Sequence, residues 1–201
     1  MLFSVRRLIF LLNVMGIITA PAPAAGAGTE GPNSPSSASG VNWKNPTNVF
    51  YSDNLRVNYN SPFQNFLVTT SFGFSAVAGT VDGIMVEIEG YGTGTNPPYG
   101  DQIDIALSKD GSNPAGSWKT AVALPNGVAN EAYISRGGGA DLWGTSWIAS
   151  DIRNSSFGVL VRDTDMNACS FYIDHVRVTV YYTLNATPGR RLKLQKILSG
   201  D

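Results

Sequence analysis

From residue 41 to residue 183 apolar and polar side chains alternate with a period of two, the mark of strands that bury one face. Ile84, Val86 and Ile88 point one way while Met85, Glu87 and Glu89 point the other. Ile103, Ile105 and Leu107 alternate with Asp104, Ala106 and Ser108, and Val159 and Val161 continue the phase of Phe157. Over 169–182, Val176, Val178, Val180 and Tyr182 share a face opposed by His175, Arg177, Thr179 and Tyr181. Weaker strands are predicted over 49–53, 55–59, 66–74, 118–124 and 131–135. Between them lie clusters of Gly, Pro, Asn, Asp and Ser, notably 60–62, 78–80, 92–100, 110–114, 126–127 and 137–139, whose residues tolerate positive φ or stop a ladder. Short strands so punctuated, with no internal helix, predict an all-β fold: a single-domain, two-sheet antiparallel β-sandwich with a jelly-roll-like strand order. No repeat at fixed period points to a propeller or solenoid.

The two ends break this pattern. Arg6 and Arg7 precede an apolar run from Leu8 to Ala20, followed by Pro21, Pro23 and the small residues Ala22, Ala24, Ala25 and Ala27. That layout predicts a signal peptide over 1–27, cleaved after Ala25 or Ala27, and a secreted, extracellular or cell-surface protein. The run is shorter than the roughly 20 residues a bilayer span requires, so no membrane span is expected once the leader is removed. Residues 28–40 contain no large apolar side chain and read as a flexible linker leading to a sandwich domain over 41–184. In the tail, 185–201, Arg190, Arg191, Lys193 and Lys196 alternate with Leu192, Leu194, Ile197 and Leu198. It reads either as a solvated terminus or as a peptide that docks on a protein partner through Arg190, Arg191, Leu192, Leu194, Ile197 and Leu198.

Composition narrows the partners. Charged residues make up 14% of the chain and the net charge is −1, so there is no basic field to hold nucleic acid. The single cysteine, Cys169, excludes an internal disulfide, and its spacing from Phe171 and Ile173 places it as a buried thiol.

Several stretches carry a resemblance: Trp43-Lys44-Asn45-Pro46 with Ser52-Asp53 downstream, Phe72-Gly73-Phe74-Ser75 followed by Gly83-Ile84-Met85-Val86-Glu87-Ile88, Asp141-Leu142-Trp143-Gly144 with Trp147 and Phe157-Gly158-Val159, and Ile173-Asp174-His175-Val176 running into Val180-Tyr181-Tyr182-Thr183. In order and spacing, 43–182 resembles a poorly characterised β-sandwich family of exported bacterial proteins and phage or prophage structural proteins. The resemblance implies a building or display module and supplies no catalytic residue to carry over. The leader departs from the phage-encoded members and favours the exported branch.

Catalytic readings find little support. The only histidine, His175, is predicted on the outward face of the last strand as a surface cross-strand partner, and no G-x-S-x-G elbow occurs. One His and one Cys cannot complete a zinc site. Glu87 and Glu89 share a strand face about 7 Å apart, on the expected solvent side, with nothing apolar nearby to raise a pKa. Asp163, Asp165 and Asn167 place oxygen donors at alternate positions of a loop, a possible calcium site without the EF-hand glycine and glutamate; Asp101, Asp104 and Asn96 form a weaker set. No other cofactor is expected. Trp143 and Trp147 flank a short turn, and Tyr91, Tyr99 and Trp118 border loops rich in Gly and Pro. These rings could stack on sugars, or Trp143 and Trp147 could plug one end of the sandwich. The sequence therefore predicts a non-catalytic exported module for structural, adhesive or display contacts with a protein partner or with itself. The alternatives are a carbohydrate-binding module or a phage-like decoration component.

Overall fold

A computed structural model describes residues 26–59, 65–93, 102–163 and 171–185. In chain order the strands are β1 (Ala27–Asn33), β2 (Ser37–Ser39), β3 (Trp43–Lys44), β4 (Val57–Tyr59), β5 (Leu67–Thr70), β6 (Thr80–Gly92), β7 (Gln102–Ser108), β8 (Lys119–Ala123), β9 (Ala132–Gly138), β10 (Gly158–Asp163) and β11 (Phe171–Thr183). A 3-10 turn, Pro46–Phe50, precedes β4, another, Val128–Asn130, precedes β9, and a short helix α1, Ala149–Arg153, precedes β10.

All ladders between these strands are antiparallel. The first sheet runs β3-β4-β11-β6-β9 with β1 also paired to β11, and the second runs β2-β5-β10-β7-β8. Setting β1 to β3 aside, β4-β11-β6-β9 lies against β5-β10-β7-β8, the interleaved Greek-key order of a jelly roll. The expected sandwich and its strand order are both present.

Ile84, Val86, Ile88, Val176, Val178 and Val180 from the first sheet meet Leu67, Ile103, Ile105, Leu107, Val159 and Val161 from the second, all fully buried. At one end of this core Phe157 meets Phe72, Phe74 and Trp147 edge to face, while Phe72 and Phe74 stack on each other. Trp43 packs edge-on to Phe171, with its indole N–H donating to the Asn65 carbonyl.

The longest strand changes phase. On β11 the inward residues are Phe171 and Ile173, then Val176, Val178, Val180 and Tyr182. Ile173 pairs with Gly90 but His175 pairs with Glu89, so Asp174 is the extra residue of a β-bulge that moves the inward face from odd to even positions. Asp82 does the same on β6, where Tyr181 faces Gly83 and Tyr182 faces Val81.

Four expectations are corrected. Residues 28–40, read as a flexible linker, hold β1 and β2: β1 pairs along the edge of β11 and β2 pairs with β5. Backbone ladders need no large side chains, and the Glu30 carboxylate accepts the backbone N–H groups of Ser75, Ala76 and Val77 at 2.8–2.9 Å. Ala27, counted with the leader, opens β1 by pairing with Thr183. The strand predicted over 49–53 is instead the 3-10 turn Pro46–Phe50 and the bends after it, started by Pro46 with its fixed φ. Finally, α1 is a helix where none was expected. Its five residues are too few for a period to show, and it is set by the Asp151 carboxylate accepting the Ile148 N–H and by buried Ile152.

Candidate functional site

The aromatic candidates separate by position. Trp143 is fully buried, its indole N–H donating to the Ile84 carbonyl at 2.9 Å. Gly137 makes room for it: a Cβ there would run into the Ile84 carbonyl and the Trp143 indole. Trp147 is also buried, its N–H donating to the Leu142 carbonyl, with the Lys109 ammonium 5.1 Å from its ring centroid. Both are plugs of the core and present no face to a ligand. Tyr91 lies half-buried on the outward side of the first sheet, stacked on Tyr172 at 4.8 Å, with the Arg56 guanidinium 5.4 Å from its ring centroid. Tyr99 lies outside the described residues.

Trp118 is different. Asp104 pairs with Arg162 across β7 and β10 on the outward side of the second sheet. The Arg162 guanidinium donates from Nε and Nη2 to Asp104 Oδ2 at 3.1 and 2.8 Å, while Asp104 Oδ1 accepts the Ala121 N–H. Asp104 is 3% exposed, so this pair is anchored in the sheet. Arg162 in turn lies 4.2 Å from the Trp118 ring centroid, a cation–π contact that fixes the half-buried indole. Phe66, also half-buried, approaches Trp118 at 5.5 Å and 40°. Phe66 further lines an open groove of about 430 Å³ together with Ser39, Gly40, Val41, Asn65 and Val68. The same outward side carries the fully buried Ala106 and Leu160, paired with each other across β7 and β10. Being fully buried, Ala106 and Leu160 add no contact surface, so the accessible apolar part of this side is Trp118 with Phe66 and the groove, bordered by a few polar groups. Phe66 and Arg162 escaped the sequence reading because their partners are 52 and 58 positions away.

The outward side of the first sheet carries a buried polar cluster. His175, expected on the surface, is only 8% exposed. Its Nε2 shares a hydrogen bond with Ser34 Oγ at 2.8 Å, and its Nδ1 shares one with the Tyr133 hydroxyl at 2.7 Å. Register places Tyr133, Glu89 and His175 in one row across β9, β6 and β11. Glu87 and Glu89 do not stand in solvent either. Glu87 takes both Arg177 nitrogens at 2.9 and 3.0 Å, and Glu89 Oε2 is buried without a hydrogen-bond partner. On the bulge, Asp174 Oδ2 accepts the Asn54 N–H, while its Oδ1 is buried and unpartnered. Arg56 pairs with Glu131 as well as stacking near Tyr91. The Asn54 backbone and the Arg56 side chain on one side and Ser34 on the other thus lie against this sheet, and its outward residues are partly covered.

Burial pushes the Tyr133 phenol and the Asp174 carboxyl above their ordinary values and the His175 imidazole below its own. The bond from Glu87 strengthens the hold of Arg177 on its proton. Ser34, His175 and Tyr133 form a hydroxyl–imidazole–phenol chain, but a phenol rather than a carboxylate holds Nδ1, unlike a hydrolytic triad. The phase change between the apolar series Phe171–Ile173 and Val176–Tyr182 is a sequence signal of the bulge at Asp174, though not of its distant partners Ser34 and Tyr133.

Among the described residues no group of three or more His, Cys, Asp or Glu side chains is placed to hold a metal ion. Of the candidate calcium ligands, Asp163 is buried at the end of β10, while Asp165 and Asn167 lie outside the described residues. In the weaker set, Asp104 is committed to Arg162 and Ala121, and Asn96 and Asp101 lie outside them. Cys169 and the candidate docking residues of the tail are likewise outside. Among the described residues no helix is long and apolar enough to cross a membrane.

No family model matches this chain, and no curated protein matches it. Among solved structures it is similar to the carbohydrate-binding module TmCBM61 in complex with beta-1,4-galactotriose, at 11% identity and a TM-score of 0.35, covering 78% of this chain and 88% of that one. Likeness at that level assigns no site and no ligand.

Proposed function

We propose that this chain is a non-catalytic β-sandwich module that binds carbohydrate on the outward side of its second sheet. The observation that carries the reading is Trp118, partly exposed and in cation–π contact with Arg162 of the Arg162–Asp104 pair, beside Phe66 and the groove that Phe66 lines. Sugar rings present apolar C–H faces that lie flat on an indole, and their hydroxyls need a few fixed polar partners nearby. A platform held before binding loses little side-chain entropy on contact. The buried cluster on the first sheet supports fold integrity and takes no part in the contact. Export through a leader ending at Ala25 would place such a module where free and polymeric sugars are met, in keeping with the display role expected from the family resemblance.

A glycan array probed with the full chain tests the reading. Reproducible hits are expected, lost in Trp118→Ala and weakened in Phe66→Ala, with the cooperative unfolding of both variants retained. No hit on the array, or hits that survive Trp118→Ala, would overturn it.

A further inference from the structure

The first strand is fastened to the sandwich in an unusual way. None of the residues of β1, Ala-Gly-Thr-Glu-Gly-Pro-Asn, belongs to the buried core. Its hold is polar. The ladder runs from Ala27 opposite Thr183 to Asn33 opposite Val178, and the Leu184 N–H donates to the Gly26 carbonyl at 2.8 Å. The Glu30 carboxylate closes on the three N–H groups of 75–77, and Ser34, just past the strand, meets His175. Gly28 lies so close to the Tyr182 ring that a Cβ could not be added without moving it. The seat therefore selects a small residue, then a carboxylate two positions on, then a hydroxyl four beyond that. Beyond Ser34 the chain crosses to the second sheet, where the Ser36 N–H bonds to the carbonyls of Thr70 and Ser71 and Pro35 is buried.

We propose that β1 is an exchangeable strap, and that its seat on β11 accepts the β1 of a second copy of this chain. Detaching β1 gives up ladder bonds and the Glu30 contacts but uncovers little apolar surface, so it opens well before the sandwich does. An open seat presents an unpaired strand edge and an empty nest of N–H groups. The same segment from another copy, from Gly26 to Ser34, restores every contact, so the closed monomer and the exchanged dimer have nearly equal internal energy and concentration sets their ratio. β11 keeps β6 along its other edge and β4 at 171–173, so the seat survives the opening.

Thr29 and Tyr181 are paired across this ladder, away from the core. In a Cys169→Ser background of the full chain, T29C and Y181C are made singly and together. Under mild thiol oxidation by diamide the double variant is expected to close an intrachain bridge. The two single variants, mixed, are expected to form a covalent dimer whose yield rises with protein concentration and which neither forms alone. Glu30→Gln weakens the strap without removing it and is expected to speed dimer formation about tenfold or more. If the double variant closes while the mixture never yields the mixed dimer, even with Glu30→Gln, the strap does not exchange and the proposal fails. If the double variant does not close, β1 does not occupy this seat and the proposal fails at its premise.

Discussion

Individual side chains divide sharply into those that hold the fold and those free to touch a partner, and the four tryptophans show it. Trp43, Trp143 and Trp147 are each at most 5% exposed, while Trp118 is half-buried. Trp143→Ala is expected to cost about 3–5 kcal/mol of unfolding free energy, and Trp118→Ala about 1 kcal/mol, as measured by denaturant titration. His175 sets a pH dependence. Burial, then Arg177, holds its pKa below the ordinary 6.5, so the unfolded chain takes up the proton first. The stability given by the neutral ring is present above pH 6.5 and is lost as pH falls through the folded-state value. His175→Gln retains a donor and an acceptor and should flatten that part of the stability–pH curve. Asp174 acts in the opposite sense. Burial raises its pKa above the ordinary 3.8, so its contribution is fully present below that pH and is lost as the carboxyl ionises. Asp174→Asn keeps an acceptor for the Asn54 N–H and should exceed wild-type stability near neutrality, the gain vanishing as pH falls to 3.8.

At the scale of elements, what could be read from the chain depended on whether apolar side chains make the element. β6, β7, β10 and β11 announce themselves because one face of each enters the core, and period two survives in their sequences. β1 and β2 were illegible for the converse reason: edge strands made of Ala, Gly, Ser, Thr, Pro, Asn and one Glu pair through the backbone and leave no apolar trace. The bulge at Asp174 was visible in principle as a slip between two apolar series, but its consequence was not. His175 was placed outward, but its burial under Ser34 and Tyr133 requires knowing that β9 lies across β6 from β11 and that the segment after β1 reaches His175. β9 itself was predicted to end at Ser135 and continues to Gly138, because Gly137 and Gly138 pair with Met85 and Ile84.

For the whole molecule, the fold class was legible in eight or nine punctuated strands, whereas the jelly-roll order matched an expectation that periodicity alone cannot supply. The candidate binding surface was not, apart from Trp118, since a surface assembled from β5, β8 and β10 and their approaches has no local spelling. The same topology has a consequence for how the protein comes into being. β1, β4 and β6 all depend on β11 as their common neighbour, and β11 is the last strand of the described chain. A polypeptide emerging from a ribosome or a translocation pore would thus present three strands whose shared partner has yet to be made. Productive folding must wait for the far end, as the long loops that such distant pairings close also imply slow kinetics. Nascent chains stalled before Phe171 are expected to be protease-sensitive and to show no cooperative unfolding. Release of a dozen further residues should confer both properties in a single step, a contrast that stalled-ribosome proteolysis can measure. A chain built this way needs a holdase, or swift passage, until its final strand arrives.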